Sequence, residues 1–482
     1  MGSIKFGTSG WRGIIAEDFT FAGVRAVSQA IGEYVTAEES GAKGRGLVVG
    51  YDTRFLSEAF AAEAAKTLAA QGIRVFLTDR DTPTPVVAYE IIRRHAAGGI
   101  IVTASHNPPQ YNGVKFSAAW GGPALPSVTK QIETRANAIL AGTRATGVPA
   151  TSLLETQASQ LIEQVDPRDA YLERLRALVD LKTLGRAGLR IVVDPLFGSG
   201  RGLLDRLLRE AGCEVTVLHD RRDPYFGGRP PEPSEEGLRE LASQVVDHGA
   251  HLGLATDGDA DRFGLVDADG SFLEPNYFLG VLLSHLVRGR GWTGGVARSV
   301  ATSHLVDAVA RHLQIPVFET PVGFKYIGEL IVQDKIVLGG EESAGLSVKG
   351  HVPEKDGILA CLLAAEMVAS HGGERLSTLL RSLYHEVGTI LTKRLNYHLA
   401  PGAVEGLRAR LEEPPRRLAD RAVVQVNRLD GVKMILEDGS WLLLRPSGTE
   451  PVVRLYAEAS TTQHLDAIIA EGRGLIGVGG HN

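Results

Sequence analysis

At 482 residues the chain is too long for one hydrophobic core, and about 150 residues per domain predicts three or four domains. Its apolar fraction of 44% and charged fraction of 22% are those of an ordinary soluble globular protein. A net charge of -6 excludes a general attraction for nucleic acid or acidic membranes, so an anionic ligand needs locally gathered Lys and Arg.

The opening stretch MGSIKFGTSG has no signal-peptide core, and no apolar run reaches the ~18 residues of a membrane span, so a cytoplasmic protein is expected. From 46 to 79 the chain reads as strand, loop, alanine-rich helix, strand. The same order returns at 188–220 and, less clearly, at 294–320. Such units predict βαβ connections, mixed or mainly parallel sheets and three related α/β domains. The unit at 188–220 carries a Gly-rich turn, FGSGRG, as dinucleotide-binding folds do. The full fingerprint needs glycine at 203, where Leu203 stands, so an NAD-dependent oxidoreductase is a weak alternative from another class. GGRPPEPSEEG (227–237) reads as a surface loop leading into a helix. Cys213 and Cys361 read as small buried hydrophobes, without metal spacing or a disulfide framework. After about 385 the texture changes to alternating strands with hairpin signals LDG and EDG and a final helix, which predicts a small antiparallel α+β domain. The expected domains are 1–155, 165–275, 276–385 and 386–482.

Four segments could carry chemistry. TASHNP (103–108) follows the strand-like GGIIV and offers Ser105 as a nucleophile, with His106 and Lys115 near in sequence. Thr103 and Asn107 occupy the glycine positions of a hydrolase elbow, which disfavours acyl transfer, and a solvated turn is the plain alternative. DGDADR (257–262) sets Asp257, Asp259 and Asp261 at alternate positions, where three carboxylates can converge on a hard cation such as Mg²⁺. An EF-hand is excluded, because Arg262 and Ala268 stand where that loop needs Gly and Glu. A charged turn without a counter-ion is disfavoured by mutual repulsion. Nearby VDADGSF (266–272) reads as a hairpin turn. In GGEESAG (339–345), Glu341 and Ser343 could grip the hydroxyls of a polyol, or the segment could start a helix with acidic caps. In RPSGTEP (445–451), Arg445, Ser447 and Thr449 supply donors for an oxyanion and Gly448 permits close approach; a hairpin connection is the alternative. Lys325, in TPVGFKYI, is a candidate anion contact or an unpaired surface lysine.

Taken with KFGTSGWRGI (5–14), these segments in this order resemble the α-D-phosphohexomutase superfamily, phosphoglucomutase/phosphomannomutase type, over nearly the whole chain. The resemblance implies four domains, three similar α/β domains and a smaller α+β one. It implies that Ser105 carries a phosphoryl group and completes an Mg²⁺ site with Asp257, Asp259 and Asp261. Lys115 matches the proton-transfer residue, and Arg12, His106 and Arg262 match the charged lining. Glu341 and Ser343 would hold sugar hydroxyls, while Arg445, Ser447, Gly448 and Thr449 would clamp the phosphate that is not reacting. Lys325 matches a phosphosugar contact, as does His304 in ATSHL. Glu342 stands where mannose-type members have Met and glucosamine-type members Gln. That favours interconversion of glucose 1-phosphate and glucose 6-phosphate through glucose 1,6-bisphosphate. A mannose or dual-specificity enzyme and a bisphosphate-producing relative stay open, as does the choice of monomer or dimer. Hexose phosphate is the expected partner, with no nucleic acid and no membrane.

Overall fold

The structure, a computed structural model, describes residues 3–142, 159–400, 402–447 and 452–477. The expected first boundary, near 155–165, falls partly outside them. The chain forms two compact units: Met1–Pro275 with Phe324–Gly339 and Ser343–Ser377, and Asn276–Gly323 with Gly340–Glu342 and Thr378–Asn482.

The first unit opens with a seven-stranded sheet in the order Phe6–Gly7, Gly10–Ile14, Tyr111–Ala118, Gly98–Val102, Leu47–Tyr51, Val75–Thr78, Ile162–Val165. Leu47–Tyr51 and Gly98–Val102 are buried along their whole length, as strands covered on both faces must be. The sheet is mixed. Gly98–Val102 pairs parallel with Leu47–Tyr51 but antiparallel with Tyr111–Ala118. The reason is length: the short link 103–110 cannot make the crossover that parallel neighbours require. The second sheet, in the order Phe272–Leu273, Phe263–Asp267, Leu252–Thr256, Arg190–Asp194, Glu214–Val217, repeats the device. Leu252–Thr256 runs parallel to Arg190–Asp194 and antiparallel to Phe263–Asp267, so link 257–262 is again short. The two motif loops are therefore equivalent places in two related sheets. The buried helix Gly357–Ser370, capped by Asp356, packs against the second sheet and contains Cys361. Both Cys213 and Cys361 are buried and free.

In the second unit, Gly295–Ser299 and Val317–Thr320 pair in parallel around helix Leu305–Leu313, which is the third expected βαβ unit. The C-terminal domain is a six-stranded antiparallel sheet in the order Leu391–His398, Val452–Ala459, Trp441–Pro446, Val432–Leu436, Arg421–Asn427, Arg417–Leu418. LDG and EDG make its hairpin turns, as expected. Alternation splits the sheet into two faces. Leu442, Leu444 and Leu455 pack with Leu407, Ile468 and Ile469 of the covering helices, while Trp441, Leu443 and Tyr456 pack on Val300 and Ala301. Among the described residues, no helix is long and apolar enough to cross a membrane.

The second face holds a polar knot. Lys433 is wholly buried, donates from Nζ to Val300 O at 2.9 Å, and lies 2.8 Å from Nε2 of His304 and 3.9 Å above the Trp441 ring. Burial, then Arg298, pushes Lys433 down to about 7. Glu458, pushed up to about 7 by burial, accepts from Ser303 Oγ at 2.6 Å and Trp441 Nε1 at 2.7 Å. Lys433→Ala would leave the Val300 carbonyl unpaired under a cavity, so it should cost about 2–4 kcal/mol. Thermal unfolding should show a midpoint lower by several degrees, whereas Lys393→Ala on the exposed strand should not.

Candidate active site

Ser105 lies three residues beyond strand Gly98–Val102, buried, with a left-handed φ of 53° that non-glycine residues seldom adopt. Its Oγ donates to Asp257 Oδ2 at 2.6 Å and lies 3.3 Å from Nδ1 of His106. The loop owes this shape to Arg54. That wholly buried guanidinium donates to the carbonyls of Ser105 (2.5 Å), Asn107 (2.6 Å), Pro108 (2.8 Å) and Tyr111 (3.0 Å). A five-donor fork can satisfy carbonyls that no helix or sheet would pair. Asp52 holds Arg54 Nε at 3.1 Å and accepts from Thr103 Oγ1 at 2.6 Å. Sequence reasoning missed both. The available signal was a charged pair, YDTR, directly at the carboxyl end of an apolar strand.

The three aspartates of the second loop are fully buried, and each offers an oxygen within 4.8 Å of the others. Asp259 Oδ2 accepts from Lys115 Nζ at 2.6 Å and Thr84 Oγ1 at 2.6 Å. Asp261 Oδ2 accepts from Lys115 Nζ at 2.8 Å and Lys355 Nζ at 2.5 Å. The other oxygen of each, Oδ1, is buried without a partner. Unpaired buried carboxylate oxygens, in an all-oxygen set, are what a hard divalent cation takes up, so the residues fit Mg²⁺. Burial, then Asp259 and Asp261, holds Asp257 well above the usual carboxylate range. Burial opposes ionisation of Asp261 too, but Lys115 and Lys355 outweigh it and keep that group low. Lys355 and Glu354, in PEKDG, were also missed, although a charged run directly before an apolar helix was visible. Burial lifts Glu354 to about 7 against the pull of Lys355 and Lys115.

The two loops meet backbone to backbone. A Cβ on Gly258 would lie 2.7 Å from the Ser105 carbonyl oxygen. The Gly-rich turn that raised the dinucleotide alternative packs here as well. A Cβ on Gly198 would lie 2.7 Å from Asp257 O, and Ser199 N donates to Gly258 O at 2.9 Å. That turn is filled by the aspartate loop, which overturns the dinucleotide reading.

Arg12 donates to Asn107 Oδ1 and Arg262 N donates to Asp257 Oδ1 at 3.0 Å. His106 is held well below its usual range by burial, then Arg262 and Arg12, so its ring is neutral. Ser105, His106, Lys115, Arg12, Asp257, Asp259, Asp261 and Arg262 are therefore gathered in the first unit. Lys325 and Ser343 belong to it too. Lys325 is buried, 5.5 Å from the Tyr326 ring, and is not a surface lysine. Ser343 is half-buried in a turn between strands Ile336–Glu341 and Gly345–Val348, which overturns the helix-start alternative.

Glu341, His304, Arg445 and Ser447 belong to the second unit. Glu341 accepts from Gly323 N at 2.7 Å, and neighbouring Glu342 accepts from Ser299 Oγ at 3.0 Å. The His304 ring lies 5.5 Å from the Trp441 ring, with its Nε2 2.8 Å from Lys433 Nζ. Arg445 Nε lies 2.9 Å from Asp430 Oδ1, and Ser447 N donates to Val452 O at 2.8 Å. Gly448 and Thr449 lie outside the described residues.

Comparison with known proteins matches four domain models along the chain. They are phosphoglucomutase/phosphomannomutase alpha/beta/alpha domain I over residues 3–142, domain II over 169–270, domain III over 274–387 and the C-terminal domain over 407–474. A phosphoglucomutase of Komagataeibacter xylinus is 30% identical, the match covering 98% of this chain and 90% of that protein. A probable phosphoglucosamine mutase of Methanothermobacter thermautotrophicus is 33% identical over 98% of this chain and 97% of its own length. The crystal structure of a putative phosphomannomutase from Thermus thermophilus superposes with a TM-score of 0.84 at 35% identity, covering 99% of each chain.

A divalent cation should stabilise the protein through the aspartates. At a hundred times its dissociation constant Mg²⁺ should add about 2.7 kcal/mol to folding, read as a rise in thermal midpoint. Asp261→Asn should remove that rise; an undiminished rise in the variant would place the ion elsewhere.

Proposed function

The chain belongs to the phosphoglucomutase/phosphomannomutase family, whose members are intramolecular phosphotransferases, and on that premise we propose that it interconverts glucose 1-phosphate and glucose 6-phosphate. The reading rests above all on Ser105, whose Oγ lies 2.6 Å from one of three buried aspartates in a loop fixed by a buried arginine.

Ser105 carries the phosphoryl group between turnovers. In transfer, the bond from phosphorus to Oγ breaks as a bond to a sugar hydroxyl oxygen forms; the hydroxyl gives up its proton and Oγ regains one. Asp257, Asp259 and Asp261 would hold Mg²⁺, whose charge would offset that on the phosphoryl oxygens. Arg12 and Arg262 bring further positive charge to the same place, where positioning and charge stabilisation do most of the work. Neutral His106, 3.3 Å from Oγ, can exchange a proton with it. Lys115 is kept charged, since Asp259 and Asp261 outweigh the effect of its burial, and acts from that state as a proton donor.

A phosphate moved between the two ends of a hexose requires a bisphosphate that presents each end in turn. Arg445, Ser447, Gly448 and Thr449 are the proposed clamp for the distal phosphate. Glu341 and Ser343 take sugar hydroxyls, with Lys325 against the phosphosugar. His304 offers only Nδ1, because Lys433 meets its Nε2. Glucose is preferred on the strength of Glu342, held ready by Ser299.

Intact mass should show a phosphate adduct on the protein that Ser105→Ala abolishes, together with at least a thousand-fold of turnover, roughly what loss of a covalent carrier costs. Phosphorus NMR with glucose, mannose and glucosamine 1-phosphates should show glucose converted with the highest kcat/KM. Equal use of mannose would make this a dual-specificity enzyme, and a fully active alanine variant would sink the mechanism.

A further inference from the structure

Asp430 sits in the turn between strands Arg421–Asn427 and Val432–Leu436 of the second unit and uses its two carboxylate oxygens in different directions. Oδ1 lies 2.9 Å from Nε of Arg445, and Oδ2 accepts from the N–H of Val322 at 3.1 Å. The next N–H along, that of Gly323, donates to Glu341 Oε1 at 2.7 Å. A continuous path therefore runs from Arg445 through Asp430 and the 322–323 backbone to Glu341. Gly431 presses the turn onto the arginine: with φ at 87°, a Cβ there would come within 2.7 Å of Leu444 O and 3.1 Å of Arg445 Cα.

We propose that Asp430 is a positioning residue that fixes the guanidinium of Arg445 and, through the 322–323 backbone, the carboxylate of Glu341, so that one group sets the spacing between the phosphate and sugar contacts. The proposal rests on the reading of Arg445 and Glu341 as substrate contacts. Two effects of Asp430 oppose each other. Its charge partly neutralises Arg445 and so weakens the pull on a phosphate. Against that, a guanidinium held in an ion pair has less rotamer freedom left to lose when a phosphate binds. Because Asp430 shares its charge with the Val322 N–H, its hold on Arg445 is that of a bracket more than of a competitor. The ordering effect prevails.

The test is Asp430→Asn, which keeps size and one acceptor oxygen but removes the charge. KM for glucose 1-phosphate, and the dissociation constant for glucose 6-phosphate by calorimetry, should rise about ten-fold with kcat changed less than about two-fold. Asp430→Glu should recover part of the loss. In an Arg445→Ala background the same substitution should add almost nothing, because the residue acts through Arg445. If Arg445→Ala raises KM but Asp430→Asn leaves it unchanged or lowers it, the positioning role is overturned while the phosphate clamp stands. An equal further rise in the Arg445→Ala background would show general damage and overturns it too. If Arg445→Ala itself has no effect, the clamp reading fails and takes the proposal with it.

Discussion

Three carboxylates buried within 4.8 Å of one another cannot all stay ionised on their own. Each pair repels by about 3–4 kcal/mol at the effective dielectric of a protein interior. The chain meets that cost with cations drawn from distant segments: Arg12 from the first strands, Lys115 from Tyr111–Ala118, Arg262 from the loop itself and Lys355 from the turn before helix Gly357–Ser370. Each must reach the same few ångströms, so the charge balance also dictates how those segments fold together. Even with these partners, the Oδ1 atoms of Asp259 and Asp261 are buried without a hydrogen bond.

Crowding explains the unusual backbone around this cluster. The main chains of these loops approach one another directly, so a residue without Cβ is required at 258 and at 198. Ser105 and Ala260 accept left-handed conformations for the same reason. Such strain persists only where the surroundings over-determine it. Here Arg54 over-determines the serine loop through four carbonyls. The Ser105 side chain is thus positioned, through its backbone, by a residue more than fifty positions away.

The domain classes, the three βαβ repeats and the hairpin turns were legible because they rest on local periodicity and turn chemistry. The serine and aspartate loops were legible because polar residues stood directly after apolar strands. The expected mixed or parallel sheets change direction at the short links 103–110 and 257–262, which are too short for a crossover. Arg54, Asp52 and Lys355 had a local signal, charge directly beside an apolar strand or helix, but their roles depend on partners far off in sequence. Thr84 had no local signal, because it matters through Asp259.

The second unit carries the same logic to a different end. The C-terminal domain is not a compact unit by itself: the unit runs through residue 385 and takes in 276–323 as well. Lys433 and Glu458 account for this. Both are buried, both reach from the C-terminal sheet into loop 300–304, and neither could leave that loop without exposing an unpaired partner. Breaking such contacts costs more than a surface ion pair returns. Glu341, Glu342 and Arg445 belong to this unit, whereas Ser105, the aspartates and Lys115 belong to the other. The fold thus binds loop 300–304 and the C-terminal sheet into a single compact unit.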